Sequence, residues 1–99
     1  MKTEYLISIN EFCAGHNVEI SFIISLQQSG LIEIIIVEDN SFIHADQLPY
    51  LEKFTRFYYE MDINLEGIET IHHLLQQIDA MKEENIALRN RLSFYESGN

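Results

Sequence analysis

The chain has 99 residues, room for one small domain and an extension, and chains this short often supplement their core by oligomerising. Sixteen acids against six Lys and Arg leave a net charge of −10, which excludes ordinary nucleic-acid and anionic-membrane partners and points to basic ones. Cys13 is the single cysteine, so an intrachain disulfide is excluded. MKTEYLISIN lacks a signal peptide's apolar run, and no stretch nears the ~18 apolar residues of a membrane span; a soluble, cytoplasmic protein is expected.

Tyr5 to Ile9 alternates and reads as a short strand. Asn10-Glu11-Phe12 starts a short helix, with Asn10 as the expected cap, and Asn17-Val18 makes a turn. A second helix runs from about Ile20 to Gly30. Ile20, Ile23 and Leu26 suit one buried face, which leaves at least one of Phe22 and Ile24 exposed. Gly30 ends that helix as a C′ glycine does. Ile32 to Val37 is apolar and β-branched, Glu38-Asp39-Asn40-Ser41 is a turn cluster, and Phe42-Ile43 begins a return strand, so a hairpin is expected. Ala45 to Met61 reads as a third helix with Pro49 in its first turns. Its apolar positions Leu48, Leu51, Phe54, Tyr58 and Met61 repeat at three and four. Asp62-Ile63-Asn64 breaks it, and Asn64 can cap a fourth helix. The expected division is residues 1–64 and 65–99.

From Leu65 onward the pattern stays helical almost to the end. Position a of a heptad falls on Ile71, Ile78, Asn85 and Leu92, and position d on Leu74, Met81, Leu88 and Tyr95. Strict three–four alternation over four heptads is a coiled-coil seam, and a homodimer follows. Asn85 at an a position costs stability and sets register and partner number. In a parallel pair Glu84 faces Arg89 of the second copy, and Arg91 faces its Glu96, both attractive; an antiparallel pair is the rival arrangement. The tail Ser97-Gly98-Asn99 is expected to fray.

Ile9 to Ile32 has the layout of a helix-turn-helix reader, and IEIIIVEDNSFI follows it like a wing. The chemistry of reading is missing. Residues 1–48 hold one basic residue, Lys2, and seven acids, a local balance of −6. Duplex DNA carries about one negative charge per ~1.7 Å of axis, so such a surface repels it.

Three segments together resemble the MerR-type winged helix-turn-helix superfamily: ISINEFCAGHNVEISFIISLQQSGLI, then FIHADQLPYLEKFTRFYYEMDINLEGIETI, then the C-terminal seam. The resemblance implies a mainly α fold with a small β-hairpin wing and a C-terminal coiled-coil dimerisation helix. Where MerR-type activators carry an Arg-Tyr-Tyr run on the second helix, this chain has Ile24, Ser25 and Leu26. Where their wing carries Arg and aromatic residues, it has Glu38-Asp39-Asn40-Ser41-Phe42-Ile43-His44. Within the superfamily the chain looks most like the chaperone-modulator, CbpM-like family. Asn10-Glu11-Phe12-Cys13, Asp62 to Ile68 and the tail MKEENIALRNRLSFYE carry that resemblance. It implies an acidic protein that binds the J-domain of a DnaJ-type co-chaperone, CbpA-like, and inhibits its work with Hsp70. Phe22 or Ile24 would anchor the basic helix of the J-domain, and Glu38 and Asp39 are candidate contacts. MerR-type proteins pair their last helices antiparallel, so the resemblance favours that arrangement, or a compact helical exchange, here.

Other constellations have plainer readings. Cys13 and His16 are two ligands where a structural zinc wants four. His72 and His73 point about 100° apart on a helix and cannot share an ion unaided. No metal and no cofactor are expected. The acids show no catalytic spacing, Ser21, Ser25 and Ser41 lie outside any nucleophile elbow, and no glycine-rich phosphate loop exists; an enzyme is not expected. Phe54, Phe57, Tyr58 and Tyr59 with Lys53 and Arg56 lack the basic groove of a nucleic-acid platform. Phe54 and Tyr58 are expected in the core, and Phe57 or Tyr59 toward a partner chain. The alternatives to a chaperone modulator are a MerR-like transcriptional regulator using an atypical surface, and a dimeric adaptor with another client.

Overall fold

The computed structural model describes residues 5–97. Strand β1 (Leu6–Ser8) leads directly into helix α1 (Ile9–His16), followed by α2 (Ile20–Gln28), β2 (Ile35–Val37), β3 (Asn40–His44), a 3₁₀ turn (Ala45–Gln47), α3 (Leu48–Tyr59) and α4 (Leu65–Ser97). The expected mainly helical architecture with a β-hairpin wing is what forms. The hairpin gains a third strand: the sheet order is β1-β3-β2, antiparallel throughout, with Ile7 opposite Ile43 and Val37 opposite Asn40.

Local chemistry sets each boundary. Ser8, not Asn10, caps α1: the Glu11 N–H donates to Ser8 Oγ at 3.3 Å. Ser8-Ile9-Asn10-Glu11 has the spacing of a capping box, and Asn10 falls one residue inside the helix. Asn17 takes a left-handed backbone, φ 57°, and ends α1. Gly30, φ +78°, ends α2 in a Schellman arrangement, with Leu31 N–H on Leu26 O and Gly30 N–H on Gln27 O. The third helix is shorter than expected at both ends. Pro49 has no N–H to give the Ala45 carbonyl four residues back, so that carbonyl takes the Leu48 N–H and the first turn is 3₁₀. At the far end the chain leaves α3 after Tyr59, and Asp62 turns it with φ 57°. Asn64 Oδ1 accepts from Gly67 N–H at 2.8 Å and starts α4. A Cβ on Gly67 would lie 2.7 Å from Ile63 Cγ2, so a larger residue in this first turn of α4 would have to push the Ile63 side chain aside.

Two compact units divide between Glu69 and Thr70. The first holds one core, with Ile23, Leu26, Ile43, Leu51, Phe54 and Ile68 fully buried. In the second, α4 continues to Ser97; Gly98 and Asn99 of the expected frayed tail lie outside the described residues.

The buried face of α2 is rotated from expectation. Phe22, Ile23 and Leu26 point inward, and Ile20 is 41% exposed. At ~100° per residue, Phe22, Ile23 and Leu26 share one arc, while Ile20 and Ile24 lie ~40° apart on the opposite side. On α3, Phe54 is buried as expected. Tyr58 is not: 40% of it is open, because the helix has run past the edge of the core, and Met61, beyond the end of α3, is 57% exposed.

Candidate functional site

The outer face of α2 is apolar and uncharged where a reading helix carries cations. Ile20 and Ile24 are both exposed, among Ser21, Gln27 and Gln28, and no Lys or Arg occurs between Glu19 and Gly30. Scattered exposed apolar residues are ordinary; these two isoleucines, one turn apart, form a small apolar stripe on the second helix. Phe22 is not part of it. It is a core residue, and it cannot serve as a free anchor.

The wing supplies the charge. Glu38 and Asp39 are the two central residues of the β2–β3 turn, and both have positive φ, 50° and 66°. Two-residue hairpins need that handedness to match strand twist. The Asn40 amide steadies the turn, donating to Glu38 O at 3.3 Å. Both residues are exposed, beside the exposed Ile36 and Val37.

A third feature was not anticipated. Phe22 stacks on Tyr58 with centroids 4.4 Å apart, and Tyr59 stands edge-on to both, at 5.5 Å and 5.0 Å. The Tyr59 hydroxyl accepts the Glu19 N–H at 3.1 Å and ties α3 to the start of α2. Glu19 is the N-cap of α2 yet makes no side-chain cap bond; its carboxylate instead accepts from Ser21 Oγ at 3.4 Å. Phe57, in contrast, is half-buried against the core. The sequence signal for this cluster was the aromatic run Phe57-Tyr58-Tyr59 at the end of a helix, beyond the last core turn.

Cys13 and His16, three residues apart, both lie on α1. Cys13 is buried, and desolvation raises its thiol above the ordinary value, so it stays protonated. His16 stacks on Phe12 at 4.1 Å, with Nδ1 3.1 Å from Phe12 O, and is held by its own helix. Among the described residues no three His, Cys, Asp or Glu converge as metal ligands. No described helix is long and apolar enough to cross a membrane.

The seam residues all lie on α4. Leu74, Ile78, Met81, Leu88, Leu92 and Tyr95 are 42–66% exposed, Asn85 is exposed, and Ile71 is half-buried. Ile86 and Phe94, outside positions a and d, are exposed as well.

The model of the MerR HTH family of regulatory proteins matches residues 7–90. The chain belongs to that family. No curated protein and no solved structure matches it. In MerR-type terms α1 and α2 are the helix-turn-helix pair, β2 and β3 the wing, and the family is one of regulators, not of enzymes.

Proposed function

We propose that this MerR-type protein regulates by binding protein rather than DNA, as a chaperone modulator. It docks on the J-domain of a DnaJ-type, CbpA-like co-chaperone and blocks that domain's approach to Hsp70. The observation that carries the reading is the outer face of α2: Ile20 and Ile24 stand where a DNA reader needs cations. The acidic wing tip and the net charge of −10 support it. Acidic groups steer a basic helix to the surface, and exposed isoleucines hold it after water leaves. The choice of a J-domain among basic partners rests on the sequence resemblance.

In this reading residues 1–64 form the docking domain and residues 65–99 join two copies in a cytoplasmic homodimer. The support is the run of exposed apolar residues at heptad spacing along α4. A heptad stripe of this kind is stabilised when a second helix covers it.

The test is calorimetric titration with the J-domain of the organism's own DnaJ-type co-chaperone at two salt concentrations. Binding that weakens as salt rises is the expected result, because screening shortens the reach of exposed charges to ~8 Å at physiological ionic strength. Absence of binding at both salts, together with a salt-dependent shift of duplex DNA, would return the chain to the transcriptional regulators.

A further inference from the structure

We propose that the corner formed by Phe22, Tyr58 and Tyr59 is a binding site for an organic cation, an alkylammonium or guanidinium head. Tyr58, backed by the buried Phe22 ring stacked on it at 25°, makes one aromatic wall. Tyr59 makes the other, at 84° to Phe22 and 73° to Tyr58. Two concavities open beside the tyrosines. One, of about 120 Å³, is lined by Glu19, Ser21, Phe22, Ser25, Leu65 and both tyrosines. The other, of about 330 Å³, is lined by Tyr58, Tyr59, Asp62, Ile63 and Asn64. The smaller equals about four water volumes at ~30 Å³ each, the scale of a small quaternary ammonium head.

The chemistry of the lining selects the sign of the guest. Aromatic faces carry negative potential and attract a cation placed over them. Each concavity adds one carboxylate-bearing residue, Glu19 or Asp62, and neither lining includes Lys, Arg or His. The Glu19 N–H holds the Tyr59 hydroxyl in place, and the exposed Glu19 carboxylate lies 3.4 Å from Ser21 Oγ. The walls are therefore set before a guest arrives, which limits the ordering cost of binding. Tyr58 and Tyr59 keep about 40% of their surface open, so the rings are accessible. A neutral hydrocarbon could use the rings but not the carboxylates, and an anion would be repelled.

This site does not depend on the J-domain reading, because a free cation tests it. The experiment is an NMR titration of the full chain with tetramethylammonium, with tert-butanol as the neutral isostere, following the Tyr58 and Tyr59 ring resonances. Tetramethylammonium should shift them at millimolar concentration, and tert-butanol several-fold less. Tyr58→Leu should weaken the response roughly 5-fold or more, and Glu19→Gln roughly 2- to 3-fold. Glu19 is exposed, so Glu19→Gln keeps the test valid if Tyr58→Leu disturbs packing. Equal shifts from the two probes, no shift from either, or an undiminished response in Glu19→Gln would overturn the proposal. A short Lys- and Arg-containing peptide names the source. Saturation at tenfold lower concentration than tetramethylammonium assigns the cation to a partner's side chain, and no advantage for the peptide assigns it to a free small molecule.

Discussion

The two compact units treat the same residue types in opposite ways. Before Glu69, leucines, isoleucines and phenylalanines of the helices and of β3 close on one another until six are fully buried. After Thr70, from Leu74 onward, leucines, isoleucines and methionines at heptad spacing stay more than two-fifths exposed. Periodicity alone does not tell burial within a chain from burial between chains. What separates them is return. The first unit turns back repeatedly, through Asn17, Gly30, the Glu38-Asp39 turn and Asp62, and so brings other elements to cover each helix. The described residues of the second, through Ser97, form one helix without a turn.

Substitutions break that contrast in graded steps. Phe54→Ala empties the centre of the first unit and should cost about 3–5 kcal/mol, read by chemical denaturation; a loss under about 1 kcal/mol would mean that the core is not where it is described. In the second unit, Asn85→Leu should raise the melting temperature of the assembled protein while broadening its distribution of oligomers in analytical ultracentrifugation. An unchanged single species with no gain in melting temperature would remove Asn85 from the seam. Ser8→Ala deletes the cap of α1 and should cost about 1 kcal/mol, whereas Asn10→Ala should change little. The smallest effect on folding belongs to Ile24→Asp. Its stability should stay within the scatter of surface changes, about 0.5 kcal/mol or less, while partner binding is lost. Unfolding of that variant would put Ile24 inside the core.

What the sequence discloses follows from how many constraints meet at a residue. Gly30, Asn64 and Pro49 each belong to a residue type that favours the backbone role found there, so their roles are legible in the chain alone. The phase of α2 is not. Ser21, Ser25 and Gln28 form only a narrow polar arc, the apolar residues fill the rest of the helix circumference, and Ile20 and Phe22, on either side of Ile23 and Leu26, exchange places relative to expectation. Ser8 was hidden because the strand pattern of β1 runs straight into the cap. Tyr58 sits on the correct face of α3 but past the end of the core, which spacing along one helix cannot register. The wing was legible as a hairpin, while its third strand depends on a pairing between residues 6–8 and 42–44 that no local pattern announces.

The turn at Glu38 and Asp39 is expensive for the residues it uses. A left-handed backbone costs a side chain with a Cβ roughly 1–2 kcal/mol, and hairpins of this length favour Asn-Gly or Asp-Gly. Here a glutamate and an aspartate hold those positions at φ 50° and 66°. An Asn-Gly tip would make a sturdier wing and a neutral one. The hairpin thus sits below its attainable stability for as long as two carboxylates occupy its point, and relaxing that strain without erasing the negative charge would require moving the acids, not merely softening the turn.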